Sequence, residues 1–325
     1  MLLSLRVALA SATLAVLAFA SPPALAQAYP NKPVKILVGF APGGAMDIVA
    51  RAVGAKMAAG LGQSVVIENK PGAASNIALR QLIDSPPDGY TVMLVANGLA
   101  ANTFLYKQQP FDPNADVVPI SLVARLPVVI ATGASADLTS IKRLVDASKA
   151  KPASVAYGTP GSGSTPHLAV ELFARAAGIS LTHVPYKGGA PAISDVLGGS
   201  LPMVAVNAIE VLPHVKAGKL RVIAALSSER VATLPDAPTI AESGFAGFEA
   251  SVWHAFIAPK GTPAAVVERL RAEVHKALAD PEVRDRLVSL GAVVSPSSPQ
   301  ELAALVRLEH ERYGKLIREA DIKAN

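Results

Sequence analysis

Four short stretches rich in glycine, alanine, proline and serine carry most of the chemistry open to this chain. They are Phe40-Ala41-Pro42-Gly43-Gly44-Ala45-Met46-Asp47, Asn69-Lys70-Pro71-Gly72-Ala73-Ala74-Ser75-Asn76, Gly158-Thr159-Pro160-Gly161-Ser162-Gly163-Ser164-Thr165-Pro166-His167 and Tyr186-Lys187-Gly188-Gly189-Ala190. Each follows a β-branched run and precedes a helical pattern. Glycines let the backbone turn tightly and let a solute approach the main-chain amides. The helix behind each turn points unpaired N–H groups at it, and such an end attracts anions by about 0.3–2 kcal/mol. A carboxylate suits it as well as a phosphate does. Asp47 is placed to cap its helix or to hold a water. Ser164 and Thr165 are natural N-caps, with Pro166 in the first helical turn. Phe40 and Met46, beside the Gly43-Gly44 pair, are placed to touch a ligand or to fill a gap.

Other chemistries are excluded by what stands at the key positions. Gly158 to Gly163 has phosphate-loop spacing, but Ser164 occupies the place of the lysine. Gly161-Ser162-Gly163 opens like a dinucleotide fingerprint, but Pro166 takes the third glycine's place. No G-x-S-x-G elbow activates Ser162 or Ser164. Ser164 with His167 is the one local nucleophile–base pair, with no orienting acid in view, so a serine-dependent hydrolase is the weakest functional reading. His167 and Glu171, one helical turn apart, lack a second histidine, so no metal site is expected and a solvated or capping role is favoured for His167. The single tryptophan, Trp253, reads as core more than as cleft lining. Basic residues never run five together and aromatics are 5%, which argues against nucleic acid.

The elements that must position these loops alternate. Strands are predicted over Val34–Phe40, Ser64–Glu68, Thr91–Ala96, Val128–Ala131, Val155–Gly158, Leu181–Val184, Met203–Val206 and Arg221–Leu226. Helices are predicted over Asp47–Ala59, Asn76–Ile83, Ile141–Ala150, Thr165–Ala177 and Ala190–Leu197, then Pro263–Leu278, Pro281–Leu290 and Pro299–Ala320. Strands separated by helices imply parallel pairing. About 300 residues in two such blocks exceed one simple core. Seams near Arg125-Leu126-Pro127 and Phe248–Trp253 divide them, giving lobe 1 as 27–127 plus 252–325 and lobe 2 as 128–251. Two lobes joined by two crossings form a hinge, and ligands favour the cleft between.

Residues 1–26 read as a cleaved export signal: Arg6, an apolar run from Val7 to Ala20, then Ala24-Leu25-Ala26 before Gln27. Removing it takes away Arg6 and no acid, so the charge becomes 29 − 25 = +4. The chain has no cysteine, which removes disulfides, thiol nucleophiles and a lipid anchor on Cys. The expected compartment is the periplasm.

Taken together and in order, these loops and several further motifs resemble the Bug solute receptors, the extracytoplasmic subunits of tripartite tricarboxylate transporters. The marks are Tyr29-Pro30-Asn31-Lys32-Pro33-Val34-Lys35, Pro42-Gly43-Gly44 with Asp47, Asn69-Lys70-Pro71-Gly72-Ala73 and Pro87-Asp88-Gly89-Tyr90-Thr91. Gly161-Ser162-Gly163-Ser164 with His167, Val184-Pro185-Tyr186-Lys187-Gly188, the stretch Pro213–Arg221 and Ala258–Pro263 complete them. The resemblance implies an α/β type II periplasmic binding protein with a ligand cleft between two lobes, acting without cofactor or metal. It implies carboxylate binding largely by backbone amides and bridging waters. One end of the ligand would meet Phe40, Pro42, Gly43, Gly44, Ala45, Asp47, Gly72, Ala73, Ser75 and Asn76. Gly161, Ser162, Ser164, Thr165, His167, Tyr186 and Asn207 would serve the other. Asn207 stands where relatives often carry Asp, which alters local charge, and Asn102 is followed by Thr103 instead of the common Pro. The implied partners are membrane permease subunits; the receptor itself is expected to be a monomer. A ligand-presenting protein for a periplasmic sensor shares the same cleft and is the alternative reading.

Overall fold

Runs of valine, leucine and isoleucine too apolar for solvent on either face become buried strands here, and helices with one apolar stripe cover them. In the computed structural model, residues 29–106, 111–320 and 322 are described. The expected export signal lies outside the described residues. Every element named below lies within Lys32–Asn325.

Strands β1 (Val34–Val38), β2 (Val65–Asn69) and β3 (Thr91–Val95) pair in parallel with β1 between the other two. Helices α1 (Ala45–Leu61) and α2 (Asn76–Ile83) provide the crossovers, and α3 (Gly98–Leu105) follows β3. Strand β4 (Val117–Gly133) then runs for 17 residues. After it come α4 (Ile141–Ala150), β5 (Ala156–Thr159), α5 (Thr165–Ala177), β6 (Thr182–Pro185), α6 (Gly189–Leu197), β7 (Met203–Asn207), α7 (Ala208–Lys216) and β8 (Leu220–Ala225). The chain returns through β9 (Ser251–Pro259), α8 (Ala264–Ala279), α9 (Pro281–Ser289), β10 (Val293–Val294) and α10 (Pro299–Ala320).

The strands form one mixed sheet in the order β2-β1-β3-β9-β4-β7-β5-β6, with β8 and β10 also on β4. β4 is the common member. Its Val117–Pro127 stretch lies antiparallel to β9, and Val128–Thr132 lies antiparallel to β7. The partner therefore changes between Pro127 and Val128, beside the predicted seam. Two apolar groups flank that change. Leu37, Met93, Trp253, Ile257 and Leu302 pack on one side; Val129, Val204, Val206, Val211 and Leu220 pack on the other. Trp253, 1% exposed, is core, as its composition context suggested.

Among the named strands, pairing is parallel only at β1–β2, β1–β3, β5–β6 and β5–β7. The expectation of parallel pairing throughout is corrected by β4 and β9, whose long antiparallel ladder joins the two blocks. Predicted strand Val128–Ala131 is only the last part of β4. Pro119 and Pro127 disguise the rest, yet both are tolerated, one beside a register shift and one where the β9 ladder ends. Helix α1 starts two residues earlier than predicted, at Ala45, and Pro263 is the N-cap of α8 instead of its first residue.

Candidate functional site

The Phe40–Asp47 turn is held by its own side chains. Gly44 is the N-cap of α1 and offers no side chain to its amides. Asp47 in the first turn accepts the Gly43 N–H at 3.0 Å and the Arg51 Nε at 2.9 Å. Asn69 Nδ2 donates to the Phe40 carbonyl at 3.0 Å, so the ends of β1 and β2 are locked together. Asp47 thus braces the turn from behind.

The Gly72–Asn76 turn is strained. Ala73, Ala74 and Ser75 all have positive φ, at 45°, 48° and 81°. Non-glycine residues there cost about 1–3 kcal/mol each and persist where surrounding contacts fix them, commonly at ligand clamps. Asn102 provides those contacts: its Nδ2 donates to the Ala74 carbonyl at 3.0 Å and to Asn76 Oδ1 at 2.9 Å. Thr103 after Asn102 does not disturb this brace.

In the second block, Ser164 caps α5 by accepting the His167 N–H at 3.5 Å, as its position predicted. His167 is not solvated: it is 4% exposed, its Nδ1 accepts the Gly163 N–H at 3.1 Å, and its ring stacks on His183 at 4.0 Å. The bond joining Ser164 and His167 uses the histidine's backbone, so its ring is committed to the turn and not to the serine. Glu171 takes the Tyr157 hydroxyl. Among the described residues no cluster of three metal-ligating side chains forms.

The blocks meet across these turns. Ala41 N–H donates to the Lys187 carbonyl at 2.8 Å, and Tyr106 donates its hydroxyl to the Ser162 carbonyl. Three cavities around these turns share Phe40 in their linings. An outer one of about 390 Å³ is lined by Gly72, Ala73, Gly161, Ser162, Tyr186 and Lys187, among others. An inner one of about 30 Å³ touches Ser75, Asn76, Asn102, Ser164 and Thr165. A second inner recess of about 40 Å³ touches Gly44, Ala45, Met46, Ser164, Thr165, Gly189, Asn207, Glu210 and His254. All four turns therefore border one region. Of the predicted residues, Pro42 and Gly43 are exposed and line none of these cavities, while Asp47 and His167 sit behind them as braces.

Sequence reasoning passed over Glu210, Asn102 as a brace and His254. Asn102 and Glu210 belong to helices α3 and α7, neither of which was predicted. Asn207 followed by Glu210 is an Asn-x-x-Glu capping box, the available signal for the start of α7.

Comparison with known proteins gives this site its context. The family described as "Tripartite tricarboxylate transporter family receptor" matches residues 49–322. The chain belongs to this receptor family. Its fold is that of the family's periplasmic binding proteins. The periplasmic binding protein BugD superposes with a TM-score of 0.87 at 36% identity, covering 91% of this chain and 99% of that one. MatC from Rhodopseudomonas palustris, with bound malate, gives 0.85 at 30% identity over 89% of this chain and 100% of its own. Rpa4515 of R. palustris, with adipate, gives 0.87 at 34% over 91% and 99%.

In this receptor's site Lys187 borders the outer cavity, and neither inner recess is lined by a lysine or arginine. Burial raises the Asp47 carboxyl, but Arg51, the Gly43 N–H and Asn69 together hold it below its ordinary value. Burial lowers His167 to about 4 and His254 to about 3, so both rings are neutral at neutral pH. Burial pushes Glu210 up to about 7 against the opposing pull of Asn207 and the Ala45 amide. Six buried side-chain atoms along the inner recesses have no hydrogen-bond partner of ordinary geometry among the described residues: Ser75 Oγ, Asn76 Nδ2, Asn102 Oδ1, Asn207 Oδ1, Glu210 Oε2 and His254 Nδ1. Buried polar groups are satisfied in more than about nine cases in ten, so such a cluster points to a polar occupant.

Proposed function

We propose that this receptor captures a small organic carboxylate between two lobes in the periplasm and delivers it to the membrane permease subunits of a tripartite tricarboxylate transporter. The supporting observation is the convergence of four glycine-bearing turns, uncapped helix starts and unpartnered buried polar atoms on one region around Phe40. Helices α1, α2 and α6 begin there with no cap from their own N-cap side chains; Glu210 lies at the starts of α1 and α6, and the first amides it does not take are left for a ligand. That malate and adipate occupy MatC and Rpa4515 supports the ligand class.

The lobes are 27–127 with 252–325 and 128–251, and the paired strands β4 and β9 form the hinge. The change of partner at Pro127–Val128 supports this division. Opening breaks the Ala41–Lys187 and Tyr106–Ser162 bonds; closure around the ligand restores them. The chain acts by binding alone, as a monomer, after removal of the export signal near Ala26/Gln27.

The test is a thermal-shift screen across mono- and dicarboxylates, their amides and hydroxy acids. A ligand at a hundredfold excess over its Kd adds about 2.7 kcal/mol of stability, an easily read rise in melting temperature. A set in which no small acid or amide shifts the transition overturns the reading.

A further inference from the structure

Glu210 is the one acid that lines an inner recess, and it is buried at 6% exposure. Its Oε1 accepts the Asn207 N–H at 3.1 Å and Asn207 Nδ2 at 3.2 Å, which fixes the carboxyl at the start of α7. Oε2 forms no further hydrogen bond of ordinary geometry, and the Ala45 amide at the start of α1 is the backbone group that bears on the carboxyl. Two glycines show where it points. A Cβ on Gly189 would come within 1.9 Å of Oε2, and one on Gly44 within 3.4 Å. The carboxyl therefore sits between the first turn of α1 and the first turn of α6, where two sets of uncapped amides converge. An acid of the protein's own occupies a seat built for an anion.

No lysine or arginine lines this recess. A second carboxylate placed beside Glu210 would face like charge with no lysine or arginine in the lining to offset it, an arrangement that rejects partners by several kcal/mol. The groups that fit are those that donate to Oε2. We propose that Glu210 sets ligand choice, so that this receptor prefers an organic acid with one carboxylate and, at the end entering the recess, a neutral or cationic hydrogen-bond donor such as a carboxamide, hydroxyl or ammonium. The recess of about 40 Å³ admits a terminal group of that size. This rests on the carboxylate-receptor reading and deepens it: the turns are those of a family whose members hold malate and adipate, but Glu210 changes what one end accepts.

The experiment is isothermal titration of the full mature chain with matched probes: succinate against succinamate and 4-aminobutyrate, and adipate against adipamate and 6-aminohexanoate. Near neutral pH and above, the better amide or amino acid of a set should bind about tenfold or more tighter than its diacid. Glu210→Gln should erase or invert that ratio. Should that variant fail to fold, the wild-type pH dependence decides. From about pH 8 to about pH 6, diacid affinity should rise as Glu210 takes up a proton, while monoamide affinity stays level. His254 on β9 lines the same recess and Asp47 on α1, paired with Arg51, lies behind it; both titrate well below that range. Diacid and monoamide bound equally tightly, with no response to Glu210→Gln or to pH, would overturn the inference and leave the carboxylate receptor standing. No binding of any probe would overturn both.

Discussion

Single residues carry the shape of this site through close approach more than through charge. A Cβ on Gly39 would fall 1.7 Å from Ser75 Oγ and 2.6 Å from its Cα, so the end of β1 admits the strained turn only because a hydrogen stands there. Gly39→Ala should therefore cost about 1–3 kcal/mol in urea unfolding and displace Ser75, with loss of the ligand-induced thermal shift. A cost near zero would mean that the turn relaxes freely. Ala74 presents the converse. Its φ of 48° suits glycine. Ala74→Gly should relieve that strain, against a gain in unfolded-chain freedom of about 0.4–1 kcal/mol, so stability should change little or rise. If the strain clamps the ligand, affinity should fall in the same variant. Unchanged affinity in a calorimetric titration would assign the strain to packing alone.

At the scale of elements, helix starts are the working parts, and caps separate those that serve the cleft from those that serve stability. Ser140 caps α4 by accepting the Arg143 N–H at 3.2 Å, away from the cavities, whereas Ser164 caps α5 while lining both inner recesses. Either serine changed to alanine should cost about 1 kcal/mol of stability. Only Ser164→Ala should also weaken ligand binding, and equal losses of affinity in the two variants would remove Ser164 from the site. The same elements show what sequence could convey. Periodicity and Pro–Gly punctuation located α2, α4, α5 and α10 at their observed bounds, because each has a polar face and a marked start. β9 and most of β4 were missed. Strands buried on both faces have no alternation to read, and the prolines in β4 resemble breaks. α3 was missed for a related reason: Gly98–Leu105 is apolar almost all round, packed beneath the cleft and against α10. The turns that border the cavities were legible because glycine, proline and serine mark backbone geometry directly. Glu210 was not, since its role comes from the spatial meeting of α1, α6 and α7, which no local pattern encodes.

Across the whole molecule, buried titratable groups set opposing pH dependences. Burial holds His167 at about 4 and His254 at about 3, and burial with the neighbouring His167 holds His183 at about 3. An unfolded histidine titrates near 6.5, so below that pH the unfolded chain takes up protons that the native chain refuses. Stability is therefore fully present above about pH 6.5 and is lost as pH falls toward about 4, by about 1.4 kcal/mol per pH unit for each proton. Glu210 acts with the other sign. Its native value of about 7 lies above the ordinary 4.5, so its contribution is complete below about 4.5 and is lost as pH rises through 7. Between about pH 4.5 and 6.5 one proton held by Glu210 opposes those taken up by the three histidines, and the histidines dominate. Glu210→Gln removes the opposing proton and keeps the hydrogen-bonding shape. Its stability in urea should consequently fall more steeply with acid than that of the parent, by about 1.4 kcal/mol per pH unit over that interval. Equal slopes would show that Glu210 ionises as an ordinary surface acid does, and the recess would then hold a solvated carboxylate with no power to choose among ligands.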